Sequence, residues 1–170
     1  MCYFHKNSTL NTGGNLMKIA IGCDEAAYSL KVLLKKHLEE KGYTVDDFGA
    51  DKGEVVLYPD VAYKVADQVA AGKYKKAVLV CGTGIGMAIC ANKVPGVRAA
   101  VCHDPFSAER ARKSNNAQII CMGERVIGPE LAKYLLDVWL KCEFDEHSRS
   151  QPKVQRIVEL EEEHIKQASN

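Results

Sequence analysis

The sequence predicts an α/β fold in which about five parallel strands form one doubly wound sheet, helices cover both faces in three layers, and one more helix closes the chain. Three observations lead there. Short apolar runs rich in Val, Ile and Ala alternate with stretches of helical period along the whole chain. The apolar runs are near-continuous rather than alternating, which marks strands buried on both faces. Gly42 and Gly72 directly follow helical stretches, where a left-handed residue ends a helix cheaply. Strand–helix alternation of this kind builds a parallel, Rossmann-like sheet with right-handed crossovers.

The elements follow in order. Residues 1–16 are polar, end in Gly-Gly-Asn, and read as a disordered extension without function; residues 17–170 read as a single domain. A first strand is expected at 18–23, then a helix at 26–41 with Leu30, Leu33, Leu34 and Leu38 on one face. A second strand at 43–48 precedes a helix at 59–72 carrying Val61, Val65 and Val69. Strands at 76–81, 97–102 and 118–122 alternate with helices near 85–93, 105–114 and 129–142. The last helix, about 152–167, is highly charged with an apolar line at Val154, Ile157 and Val158, so it lies across the domain or against a partner.

Composition narrows the function. With 23 basic and 22 acidic residues the net charge is +1, which argues against nucleic acid as the partner. No apolar run approaches the roughly 20 residues of a membrane span. The 7 cysteines are scattered, odd in number and free of CxxC pairs, which points to reduced thiols in a cytoplasmic protein.

Ligands of doubly wound sheets gather at the carboxyl ends of strands. That puts Asp24, Cys81–Gly86 and His103–Asp104 on one rim. Gly82, Gly84 and Gly86 lie between a strand and a helix, where glycine lets the backbone approach an anion and helix-start amides favour negative charge. With Asp104 about twenty residues on, the loop imitates a dinucleotide fingerprint, but that fingerprint occupies the first strand–helix turn and this loop is the third. Cys81 ends the strand in front of the helix start, a position that lowers a thiol's pKa from ~8.5. Its plain alternative is a small apolar residue closing a strand, as Cys102 and Cys121 do. Thr83 adds a hydroxyl to the same loop.

The run Cys81-Gly82-Thr83-Gly84-Ile85-Gly86, followed by Ala91-Asn92-Lys93-Val94-Pro95-Gly96-Val97-Arg98-Ala99, resembles the ribose-5-phosphate isomerase B / galactose-6-phosphate isomerase family. The likeness continues through Gly22-Cys23-Asp24, Tyr58-Pro59, Ser114-Asn115-Asn116-Ala117 and Gly123-Glu124-Arg125-Val126-Ile127-Gly128, over about residues 17–160. It implies an aldose–ketose isomerase of sugar phosphates that needs no metal or nucleotide cofactor. Cys81 is implied as the base that moves a proton between C2 and C1 through an enediolate. Thr83 and the amides of Gly82, Gly84 and Gly86 are implied to hold its oxygen. Arg149 and Lys153 are implied phosphate ligands, although without the resemblance they read as a solvated charge pair. Asp24, Tyr58 and Asn115 are implied sugar contacts, with plain alternatives as an N-cap, a half-buried tyrosine and a helix-ending amide. Arg98 and Arg125 read as structural. The family builds its site from two chains, which implies a homodimer or a dimer of dimers.

Three positions depart from the family pattern. Glu25 stands where a phosphate-holding histidine is frequent, Leu57 replaces an aspartate, and Ser114 replaces a ring-opening histidine. His103 is the candidate substitute for ring opening, since imidazole titrates near neutrality; otherwise it is a rim histidine. Ribose 5-phosphate is the first substrate expected. A tetrose 4-phosphate, which cannot close a furanose ring because its O4 carries the phosphate, is the alternative, and Ser-Ala-Glu-Arg-Ala and Ser-Asn-Asn-Ala-Gln-Ile-Ile resemble family members of that kind. A galactose-6-phosphate isomerase-type subunit, a catalytically idle chain and a nucleotide-binding sensor module are the remaining readings.

Overall fold

In the computed structural model, residues 17–169 are described, and the extension expected at 1–16 lies outside them. The strands are β1 (Lys18–Cys23), β2 (Thr44–Asp47), β3 (Lys76–Cys81), β4 (Ala99–Val101) and β5 (Ile119–Gly123). The helices are α1 (Tyr28–Glu40), α2 (Tyr58–Ala70), α3 (Ile85–Ala91), α4 (Pro105–Lys113), α5 (Pro129–Lys141) and α6 (Gln151–Ala168). The strands form one sheet in the order β2-β1-β3-β5-β4, and every pairing is parallel.

The two-residue period of a strand divides each apolar run between two cores. Ile19, Ile21, Val78, Val80, Ile120 and Met122 meet Leu30, Leu34 and Leu38 of α1 and Leu135, Leu136 and Trp139 of α5 on one face. Ala20, Ala77, Leu79, Ile119 and Cys121 meet Val61, Val65 and Val69 of α2 and Met87 of α3 on the other. Only a strand covered on both sides needs apolar residues at every position, which is why the runs are continuous.

Two expectations need correction. β2 and β4 are partly buried rather than fully covered, because they are the edges of the sheet and each has a strand on one side only. The first helix does not start at 26. A 3-10 turn, Glu25–Ala27, precedes α1, with Asp24 Oδ1 accepting the Ala26 N–H at 3.1 Å. Along α1, Leu30, Leu34 and Leu38 are buried, while Leu33 only packs against the margin of the core. In α6 Val154 alone is buried; its Glu161 carboxylate accepts the Gly96 N–H at 2.7 Å, so the helix crosses the amino-terminal edge of the sheet. Among the described residues no helix is long and apolar enough to cross a membrane, and the six cysteines described are free.

The sheet order sets where a ligand can go. β1 has β2 on one side and β3 on the other, so the chain reverses direction across the sheet between β1 and β3. Loops leave those two strands toward opposite faces and open a crevice at their carboxyl ends.

Candidate active site

Asp24 and Cys81 flank that crevice. Cys23 is in register with Val80, so Asp24 stands beside Cys81 as both strands end. Cys81 closes a fully buried strand and is 6% exposed, open only at the rim. Its Sγ accepts the backbone N–H of Gly84 at 3.1 Å. This curl of the chain onto its own sulfur requires Gly84 at φ 77, in the left-handed region. A Cβ there would also meet the Met122 backbone at 3.0 Å. Thr83 Oγ1 accepts the Ile85 N–H at 3.3 Å and so caps the opening of α3.

The turn after β5 braces the loop from the other side. Glu124 N–H donates to Cys81 O at 3.0 Å, and Arg125 N–H donates to Gly82 O at 3.1 Å. The loop backbone is therefore fixed at both carbonyls before any ligand arrives. Burial pushes the Cys23 thiol up to about 11 and the Cys102 thiol up to about 12, which keeps both protonated in the core.

Tyr58 joins the same rim. A Cβ on Gly86 would lie 2.6 Å from Tyr58 Cε2 and 3.1 Å from its hydroxyl oxygen, so the ring seats on the bare glycine. Burial raises the Asp24 pKa, with Glu25 adding to the effect and Arg125 opposing it. Glu25 Oε2 accepts the Val56 N–H at 3.4 Å, tying the 3-10 turn to the loop before α2. Leu57, on that loop, is 71% exposed.

Arg125 is the residue that the sequence reading set aside as structural. Its guanidinium lies 3.6–3.7 Å from where a Gly82 Cβ would sit, which puts a cation beside the glycine loop. It stands two residues past β5 and reaches the loop because β5 pairs with β3, a neighbour relation that the sequence does not signal.

His103 follows β4 on the rim, but one ring nitrogen is taken. Its Nε2 accepts the Gly123 N–H at 3.0 Å, which requires an unprotonated Nε2 and leaves Nδ1 as the only nitrogen for proton traffic. Burial lowers its pKa and outweighs the opposing charge of Asp104.

Asn115, Arg149 and Lys153 are brought together elsewhere. They line a cavity of about 570 Å³ with Arg110, Lys113 and Ser114. α4 runs back from the carboxyl edge, so Asn115 precedes β5 at the amino edge of the sheet. Glu143, in the cavity wall, bonds Lys76 at the first residue of β3, whereas Cys81 is its last. The two groups are therefore separated by about the length of β3, roughly 17 Å at ~3.3 Å per residue.

The crevice thus holds a thiol among backbone amides beside a tyrosine and a carboxylate, and a separate pocket rich in basic side chains lies at the other edge of the sheet. The chain belongs to the ribose/galactose isomerase family, whose model matches residues 19–157. It is 55% identical over 143 residues to D-erythrulose-4-phosphate isomerase of Pectobacterium atrosepticum, covering 84% of this chain and 93% of that one. It is also 55% identical over 146 residues to ribose-5-P isomerase B of Listeria innocua, covering 86% and 98%. Among solved structures it is similar to ribose-5-phosphate isomerase B of Clostridium thermocellum. That match has a TM-score of 0.84 and 44% identity, and covers 87% of this chain and 99% of that one. The chain is a sugar-phosphate isomerase of this family.

Proposed function

We propose that the chain interconverts an aldose phosphate and its ketose by proton transfer at Cys81, with ribose 5-phosphate and ribulose 5-phosphate as the first substrate pair. The observation that carries this reading is the Gly84 N–H on Cys81 Sγ at 3.1 Å. An amide aimed at sulfur is a fixed donor to the charge that a thiolate base carries. The thiolate takes the proton from the carbon next to the carbonyl and returns it to the neighbouring carbon, while a proton moves between the two oxygens. Negative charge collects on oxygen in between, and the loop amides with Thr83 supply donors already fixed in place. Asp24 and Tyr58 border the sugar, and Arg125 adds a cation beside Gly82. The reaction runs in the cytoplasm, where the thiol stays reduced.

Arg149 and Lys153 hold the phosphate, and Asn115 contacts the sugar, from a second copy of the chain. The support is spatial: one chain holds these residues and Cys81 at opposite edges of its sheet, a distance no five-carbon sugar phosphate spans. The working unit is a homodimer, alone or within a dimer of dimers, with each site shared between chains.

A four-carbon substrate, erythrose 4-phosphate and erythrulose 4-phosphate, is the second reading. Ser114 lines the cationic cavity, no histidine is among the described residues lining it, and His103 has Nε2 engaged. A site poor in groups that open a ring suits a sugar with no ring to open. Steady-state kcat/KM on ribose 5-phosphate and erythrose 4-phosphate, measured side by side on one preparation, decides. A large preference for ribose removes the four-carbon reading, and no turnover of either removes both substrate readings.

A further inference from the structure

We propose that Arg112 and Glu143 are positioning residues that lock Asn115 and Arg149 into one phosphate-binding pocket; this rests on the reading of Arg149 and Lys153 as phosphate ligands. The pocket is built from two segments that no regular hydrogen-bond ladder joins. One is the turn after α4, which carries Asn115. The other is the stretch between α5 and α6, which carries Arg149 and leads into Lys153.

Arg112 reaches both. Its Nη1 donates to Asn116 Oδ1 at 3.0 Å and to Ala117 O at 3.1 Å, and its Nη2 meets Glu143 Oε2 at 2.9 Å. The turn itself needs the support, because Asn116 sits at φ 48, in the left-handed region. Arg98 braces it from the other side through the Asn115 and Asn116 carbonyls, each at 3.2 Å.

Glu143 holds the second segment. Its other oxygen, Oε1, lies 2.6 Å from Lys76 Nζ, which also donates to Leu140 O at 2.8 Å and Cys142 O at 3.2 Å. Lys76 is 1% exposed, so this anchor does not move with solvent. The carboxylate thus bridges a core lysine and the Asn115 turn.

The charge arrangement separates this role from direct anion contact. Glu143 lines the pocket with 69% of its side chain exposed. An uncompensated carboxylate there would repel a phosphate. Lys76 and Arg112 neutralise it. Burial tends to raise its pKa, but the hydrogen bond and charge of Lys76 and then of Arg112 outweigh that, leaving the carboxyl below its ordinary value. Asp145 is the other carboxylate in the lining, and Arg149, Lys153, Arg110 and Lys113 outnumber it, so the cavity stays net cationic.

The test measures kcat, KM and melting temperature for the wild type, Glu143→Gln and Arg149→Ala, on whichever of ribose 5-phosphate and erythrose 4-phosphate turns over faster. Glu143→Gln keeps the shape and removes the charge. The result expected is a KM raised about tenfold or more in both variants, with the Glu143→Gln kcat within about twofold of wild type and its melting temperature little changed. A raised KM for Arg149→Ala beside a wild-type KM for Glu143→Gln overturns the positioning role and leaves the phosphate reading standing. Unchanged KM in both variants defeats the phosphate reading and the positioning role with it. A Glu143→Gln variant whose melting temperature falls while KM holds assigns Glu143 to stability alone, and the proposal fails.

Discussion

The Gly84 amide and the Cys81 sulfur are 3.1 Å apart, three residues along one chain, and a single left-handed glycine brings them together. The donor is part of the backbone, so its aim survives side-chain substitution on either side. Replacing the acceptor is a clean experiment for that reason. Cys81→Ser keeps a hydrogen-bond acceptor of similar size but is a far weaker base near neutral pH. Turnover should fall by about 10²–10⁴-fold, the usual loss when a placed general base is removed, with circular dichroism and melting temperature near wild type. Turnover retained within an order of magnitude would move the base to another group.

Gly86→Ala tests the seat of Tyr58. The new methyl lands 2.6–3.1 Å from two atoms of the ring and its hydroxyl oxygen. The ring is partly exposed and can swing out, so the fold survives while the edge of the sugar site is displaced. kcat/KM should drop roughly tenfold or more, and Tyr58→Ala added to Gly86→Ala should cost little further. A fully additive double variant would mean that the methyl acts on something other than Tyr58.

His103 gives a pH signature. Its Nε2 accepts a backbone N–H only while unprotonated, and burial holds its pKa below the ordinary 6.5. The unfolded chain then binds this proton more tightly than the folded one. Stability from this contact is complete above 6.5 and declines as pH falls from 6.5 toward the depressed folded value. Urea unfolding between pH 7 and pH 5 should show that decline, and His103→Gln, a neutral acceptor that does not titrate, should flatten it. An identical slope in the variant would assign the decline to other groups.

The rim of strand ends was legible in the sequence because Asp24, Cys81 and His103 each stand at or just beyond the end of an apolar run. Strands buried on both faces announce themselves, and β1 and β3 begin and end where the pattern does. Arg125 was not legible as a site residue. Nothing local distinguishes it, and only the placement of β5 beside β3 rather than beyond β4 brings it to Gly82. Sheet order is a long-range property that periodicity does not encode. The bridge made by Glu143 was equally hidden, since nothing in the strand pattern marks Lys76 as a buried lysine. The engaged Nε2 of His103 depends on its register with Gly123, which one strand alone does not specify.

The proposed sharing of each site between two chains, with the cysteine and the arginine of one polypeptide at opposite rims, makes two broken proteins capable of repairing each other. A Cys81→Ala chain still lends intact Arg149, and an Arg149→Ala chain still lends intact Cys81. Mixed and allowed to exchange partners, half of the pairs become hybrids, and each hybrid owns one whole pocket and one doubly damaged one. Assayed with substrate well below the raised KM of the Arg149→Ala parent, roughly a quarter of the original turnover should return, a recovery that a protein with its chemistry confined to one chain could never show.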